Sequence, residues 1–157
     1  MLDTARLREF EFTDADFNSL RRLVREIAGI SLADCKRELV YSRLARRLRH
    51  LGLNSFAAYR QLLASEEGQG ELREFTNAVT TNLTAFFRER HHFDYLRDAL
   101  LLPRLADARA SRRIRIWCAA VSTGEEAYSI AMTVADALPD WQRWDIRILA
   151  TDLDTNV

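Results

Sequence analysis

The chain has 157 residues, 48% apolar and 29% charged, with 23 Lys/Arg against 23 Asp/Glu, the balance of a globular protein that can bury a core. Five Gly and two Pro exclude a disordered chain or a long flexible linker. Two cysteines, Cys35 and Cys118, exclude a disulfide framework, lack metal-ligand spacing and fit a reduced, cytoplasmic compartment. No stretch approaches the length of a membrane span, and residues 1–11 hold no apolar signal core, so a soluble protein without membrane insertion is expected.

The first half reads as helices. Thr13-Asp14-Ala15-Asp16 is a helix start with acids in the first turn. Phe17, Leu20, Val24 and Ile27 then recur at helical spacing, and Gly29 supplies a stop. A second helix is expected from about residue 33 to residue 51, with Leu39, Val40, Leu44 and Leu48 on its buried side and Gly52 ending it. Arg43, Arg46, Arg47 and Arg49 occupy its other faces. Asn54 or Ser55 caps a third helix carrying Phe56, Tyr59, Leu62 and Leu63. A polar turn over residues 66–70 leads to a fourth with Leu72, Phe75 and Val79. Four amphipathic helices joined by short turns make a small bundle.

The neutral total hides a local imbalance. Between Arg21 and His50 nine Lys/Arg face three acids, a net +6. Such a block reads as an electrostatic docking face or as a solvated helix face. Tyr41 is the one Phe, Tyr or Trp within it, too few to interleave for base stacking, and the whole chain carries no excess positive charge, so nucleic acid is not an expected partner.

The second half changes character. Residues 92–102 read as a helix that stops at or near Pro103. Residues 114–119 have the β-branched and aromatic content of a strand. Ser122-Thr123-Gly124 is a turn into a helix through Tyr128, Ile130, Ala131 and Val134, closed by Pro139. Residues 145–150 form a second strand ending on Asp152 and Asp154. Strand, helix, strand is one βαβ unit, expected to be parallel and right-handed.

Three constellations carry chemistry. The turn over residues 119–126 stands at the carboxyl end of the first strand, where parallel sheets place ligands, but it lacks a G-x-G-x-x-G pattern. Its acids suit a ligand with hydroxyls and positive charge; a plain capping box from Ser122 to Glu125 is the structural alternative. Asp152, 28 residues after Gly124, matches an acid that hydrogen-bonds ribose hydroxyls, or else a solvated loop acid. The run over residues 80–93, with Asn82, Thr84 and Arg88, joins the two halves and could line a cleft. Alternatively Asn82 or Thr84 caps a helix and Phe86 and Phe87 are core. His91 and His92 point to different helix faces, so no metal site is expected.

Three long motifs make a resemblance close. Asn77-Ala78-Val79-Thr80-Thr81-Asn82-Leu83-Thr84-Ala85-Phe86-Phe87-Arg88-Glu89 resembles the interdomain signature of the CheR-type chemoreceptor methyltransferases. Residues 116–132, around Ala119-Ala120-Val121-Ser122-Thr123-Gly124-Glu125-Glu126, resemble that family's cofactor loop, and residues 149–157 its second-strand acid motif. The basic helix around Arg43-Leu44-Ala45-Arg46-Arg47-Leu48-Arg49 also fits. The departures are Ala127 where the family usually has Pro, and Ala120-Val121 for a common Gly-Cys pair; Ala for Gly crowds a backbone that approaches a cofactor.

The resemblance implies a receptor-docking helical domain over residues 1–80, a linker over 81–95 and an S-adenosylmethionine-binding domain over 96–157. The fold class is then α plus α/β: a four-helix bundle followed by the first βαβ unit, incomplete, of a Rossmann-like class I methyltransferase sheet. It implies that Asn82, Thr84, Arg88, Glu125 and Asp152 contact S-adenosylmethionine. Arg43, Arg46, Arg47 and Arg49 would dock the glutamate-rich helices of methyl-accepting chemotaxis receptors. The implied activity is protein-glutamate O-methyl transfer, with S-adenosylhomocysteine as product. No catalytic base is expected, because a glutamate is already ionised at neutral pH and needs only in-line positioning. Two strands of about seven are expected to bind cofactor weakly and to catalyse poorly. The alternative is a non-catalytic module whose basic helix docks an acidic partner, or which dimerises through its exposed sheet edge.

Overall fold

The computed structural model describes residues 8–107 and 109–157. It contains two compact units, Met1–Thr80 and Thr81–Val157, each with its own hydrophobic core.

The first unit holds α1 (Asp14–Ala28), α2 (Arg37–Leu51), α3 (Phe56–Ala64) and α4 (Gln69–Val79). The Thr13 hydroxyl accepts from Asp16 N at 3.1 Å while Thr13 N donates to the Asp16 carboxylate at 3.0 Å, so two orphan amides at the start of α1 are satisfied reciprocally. Gly29 and Gly52 end α1 and α2 in the left-handed region, each at φ +68°, as the stop signals predict. The second helix starts later than expected, because residues 34–36 wind into a tighter 3-10 turn with Lys36 N on Ala33 O at 2.9 Å. Ser55, rather than Asn54, caps α3, its hydroxyl accepting from Ala58 N.

Phe17, Leu20, Val24, Val40, Leu44, Leu48, Phe56, Tyr59, Leu63, Phe75 and Val79 form the core. Ile27, expected on the buried face of α1, is exposed. Ten residues past Phe17 a helix has turned away from the core line, and Ala28, eleven past, packs in its place. Leu39 and Leu72 are only half-buried. Two aromatics that precede the helices join the core: Phe12 sits 4.4 Å from Phe56 between ring centroids, and Phe10 meets Phe56 edge-on at 6.5 Å.

The second unit opens with α5 (His91–Tyr95), a π-helical stretch (Leu96–Leu101) and α6 (Leu102–Ala106). Pro103 does not end this helix, contrary to expectation. The π turns before it widen the coil, Leu102 N reaching back to Arg97 O. That spacing accommodates a ring which would otherwise crowd the carbonyl four residues earlier. Strands β1 (Arg113–Ala119) and β2 (Asp145–Thr151) pair in parallel, Ile116 opposite Ile148, with α7 (Glu125–Ala137) as the crossover. Ile114, Ile116, Cys118, Ile146 and Ile148 pack with Ile130, Val134, Ala137 and Leu138. The opposite sheet face, with Trp117 and Leu149, is exposed. On α7 the buried side is Ser129, Ile130, Thr133, Val134 and Ala137. Tyr128 is exposed, because two residues before Ile130 is about 200° of rotation, the far side of the helix.

One polar network sits inside the bundle. Arg47 makes a bidentate pair with Glu71, its Nε at 3.0 Å and its Nη2 closer still, and the Tyr59 hydroxyl donates to the same carboxylate at 2.8 Å. Tyr59 is fully buried and Glu71 nearly so. Burial and the Glu71 carboxylate both push the Tyr59 hydroxyl pKa up, so it remains a donor throughout the physiological range. Removing one partner of such a pair strands the other without its counter-charge. Arg47→Ala is therefore expected to destabilise the helical unit by about 3 kcal/mol in urea unfolding. The apolar double replacement Arg47→Met with Glu71→Leu should recover most of that loss.

Candidate functional site

The carboxyl ends of β1 and β2 lie side by side, Ala119 opposite Thr151, and the loops that leave them are held together by two carboxylates. Asp152 accepts from Ser122 N at 2.7 Å through one oxygen and from Asp154 N at 2.8 Å through the other. Asp154 accepts from the Asn82 side-chain amide at 2.6 Å and from Asn156 N at 2.9 Å. Val121 N continues the parallel ladder to Thr151 O at 3.0 Å. Asp152 is half-buried and Asp154 is buried.

The linker is stitched to this rim. The Ser122 hydroxyl donates to Asn82 O at 2.8 Å, so Asn82 is gripped through side chain and backbone alike. Further along, Phe87 N donates at 2.9 Å to the hydroxyl of Ser129, a fully buried residue of α7 whose own proton goes to Glu125 O at 2.6 Å. Of the candidate residues, Asn82 and Asp152 thus share one bonded cluster through Ser122 and Asp154, and the Glu125 backbone belongs to a second one through Ser129. Thr84 is half-buried on the same linker. Arg88 is exposed, one guanidinium nitrogen donating to Leu83 O at 2.9 Å. Asn82 and Thr84 do not cap a helix, since residues 86–90 form a turn and α5 starts only at His91; Phe86 and Phe87 are exposed, not core.

The cofactor-loop capping box does not form. Gly124, at φ +106°, is the residue before α7 and no side chain caps the helix. Instead the Thr123 hydroxyl donates to the Glu125 carboxylate at 2.6 Å, and this bond, followed by one from Glu125's own backbone, holds the carboxyl below its ordinary pKa. Cys118, beneath the loop, donates to Glu126 at 3.1 Å; burial, then that bond, pushes its thiol up to about 12, so it stays a neutral thiol and no nucleophile. His91 and His92 do not diverge as their sequence positions suggest: their rings meet 4.1 Å apart. Among the described residues no three His, Cys, Asp or Glu side chains converge as metal ligands.

Backbone strain concentrates here. The non-glycine residues with positive φ among the described residues are Phe87 (54°), Glu89 (56°), Ala120 (61°) and Ser122 (53°). Two lie in the linker and two in the loop after β1. Such conformations cost on the order of 1 kcal/mol each and persist where surrounding bonds over-determine them. Ser129 was not singled out by the sequence, Ser122 only as a possible helix cap, and Asp154 only as the neighbour of Asp152 after the second strand. A buried serine on the inner face of α7 reads as ordinary packing until its partner, 42 residues earlier, is known.

In the first unit the four docking candidates divide. Arg47 is committed to Glu71 and Glu74, and Arg43 donates to Ala78 O at 3.3 Å and also to Thr80 O, carbonyls at the end of α4 that lack helical partners. Arg49 pairs with Glu9 at 3.1 Å, both half-exposed, and Arg46 is exposed on the outer face of α2.

Comparison with known proteins follows the same division. Residues 15–80 match the family model described as CheR methyltransferase, all-alpha domain, and residues 82–157 match that of CheR methyltransferase, SAM binding domain. The chain is 51% identical over 146 residues to a chemotaxis protein methyltransferase of Escherichia coli K12, covering 92% of this chain and 48% of that protein. It is 51% identical over 150 residues to chemotaxis protein methyltransferase 2 of Pseudomonas aeruginosa, covering 96% and 51%. To a chemotaxis protein methyltransferase of Borreliella burgdorferi it is 35% identical over 149 residues, covering 92% and 52%. The chain spans about half the length of the curated relatives it matches.

The left-handed Ala120 yields a signed expectation. Ala120→Gly should leave thermal stability unchanged or raise it by up to about 1 kcal/mol, because glycine adopts this backbone freely. Ala131→Gly, within α7, should cost about 1 kcal/mol in the same melt. Equal losses at both positions would show that φ at Ala120 carries no strain.

Proposed function

This chain belongs to the CheR methyltransferase family, and we propose that it carries the docking and cofactor-binding parts of an enzyme that methylates glutamate side chains of chemoreceptors. The observation that carries this reading is the convergence of linker, loop and second-strand acids at the carboxyl end of a parallel strand pair, where α/β sheets take their ligands.

The donor set fits S-adenosylmethionine. Asp152 spends one hydrogen bond on each oxygen, and a carboxylate has about four acceptor positions, so capacity remains for ribose hydroxyls. Glu125, ionised beside Thr123, suits a cationic amino group or a hydroxyl. Asn82 retains its amide oxygen and a second N–H, Thr84 a hydroxyl, and Arg88 most of its donors for a carboxylate. When bound, this cofactor supplies a methyl group on a positively charged sulfur. The acceptor would be a receptor glutamate carboxylate, already ionised near neutral pH. No proton moves, so the chain's residues need only orient the reactants and exclude water.

The docking reading rests on the surplus of arginine in the first unit. Arg46 and Arg49 present charge outward, whereas Arg43 and Arg47 hold the bundle. Among the described residues no helix is long and apolar enough to cross a membrane.

Calorimetric titration with S-adenosylhomocysteine tests the cofactor reading. Saturable binding that Asp152→Ala weakens by about tenfold or more supports it; binding untouched by that change removes it. Because the Glu125 carboxyl is held below its ordinary value, the contribution of its charge should be constant from about pH 8 to about pH 5 and fade only in stronger acid. For docking, Arg46→Glu should weaken capture of an acidic receptor helix several-fold at low salt without shifting the melting temperature. Arg47→Ala, by contrast, should lower the melting temperature first. Loss of capture without any dependence on Arg46 would place the docking surface elsewhere.

A further inference from the structure

Resting on the cofactor reading above, we infer that Asp154 is a positioning residue of the site: it clasps Asn82 and so fixes the linker before any ligand arrives. Asp154 is 95% buried, whereas Asp152 beside it is only half-buried. A buried carboxylate has to be repaid in hydrogen bonds. Part of that repayment comes from Asn82, 72 residues away in sequence, at 2.6 Å. A charge-assisted bond between a buried carboxylate and an amide is among the stronger single contacts available to a loop.

The geometry gives the clasp a purpose. Asn82 is the first residue of the linker to touch the strand ends, and the next anchor, Phe87 N on Ser129, comes five residues later. Between these two pins lie Thr84 and, just beyond, Arg88, while the turn itself adopts two left-handed non-glycine residues, Phe87 and Glu89. Phe87 is itself the second pin, and strain of this kind persists only where surrounding bonds hold the backbone. Asp154 also orients the Asn82 amide: with one N–H taken by the carboxylate, the remaining N–H and the oxygen point in directions set by the protein. Asp152 and Asp154 therefore divide the work. Asp152 sits at the rim with acceptor capacity for ligand, and Asp154 sits below it and acts through Asn82.

A double-mutant cycle with two readouts tests this. Hydrogen exchange of the amides at residues 83–90 is followed in the full chain without ligand, and S-adenosylhomocysteine binding is titrated in parallel. Asp154→Ala is expected to speed linker exchange at least tenfold and weaken binding about tenfold, while exchange in α1 and α2 is unchanged. Asp154→Asn keeps one acceptor oxygen for Asn82 at the cost of the bond from Asn156 N, and should restore part of the linker protection and of the affinity that Asp154→Ala loses. On an Asn82→Ala background, Asp154→Ala should add little to either effect. Full additivity of the two substitutions, or a linker as protected in Asp154→Ala as in the parent, overturns the proposal. If the parent chain fails to bind S-adenosylhomocysteine, the cofactor reading falls, and the exchange cycle still decides whether Asp154 holds the linker.

Discussion

A parallel strand pair ends in two loops whose backbone amides have left the ladder and must find other acceptors. Here the Asp152 carboxylate meets that need, taking one amide from each loop: Ser122 N from the first and Asp154 N from its own. Everything else at the site hangs from this bond pair. It fixes the separation of the loops, brings Asp154 beneath the linker, and leaves the outward lone pairs of Asp152 for whatever occupies the rim. On the cofactor reading proposed above, a carboxylate already fixed by the protein would need no rearrangement on binding.

The same economy recurs among the arginines. The stretch rich in positive charge is not one uniform surface. Arg47 is drawn into the bundle by Glu71 and Tyr59, and Arg43 satisfies carbonyls at the end of α4 that helical bonding leaves open. Only the residues turned away from α4 remain as an external field. Net charge counted along a sequence therefore overstates what a partner would meet, because ion pairs made across helices consume part of it. The paired arginines hold in place the helix that carries the others.

Strain and apolar exposure mark the second unit. Its left-handed non-glycine residues fall in the linker and the loop after β1, where hydrogen bonds to Asp152, Ser122 and Ser129 hold the backbone in place. On α7, the side opposite the core presents Tyr128, Met132 and Ala135, which with Phe86, Trp141, Trp144, Ile146 and Ile148 line an apolar groove of about 760 Å³. The sheet is covered on one face only, with Trp117 and Leu149 on the other. A two-stranded parallel sheet gains most of its stability from cover on both faces, so this unit has much apolar surface still to bury.

The sequence alone determined the local elements and the family. Helix starts at Thr13 and Ser55, stops at Gly29 and Gly52, the two β-branched strands and the acid after the second strand are legible because capping, left-handed stops and strand propensity act within a few residues. The family followed from motifs whose order survives in the chain. Where local signals were the only guide they failed at edges: Ile27 fell off the buried stripe, because packing and not spacing decides which side faces the core, and Pro103 was accommodated by π turns. The tertiary structure alone decided which candidates meet. The bonds from Asn82 to Asp154, from Ser122 to Asp152, from Phe87 to Ser129 and from Arg47 to Glu71 join residues 24 to 72 positions apart. No local signal encodes such partners, since each exists only once two loops or two helices have been brought within hydrogen-bonding distance by the burial of apolar side chains elsewhere.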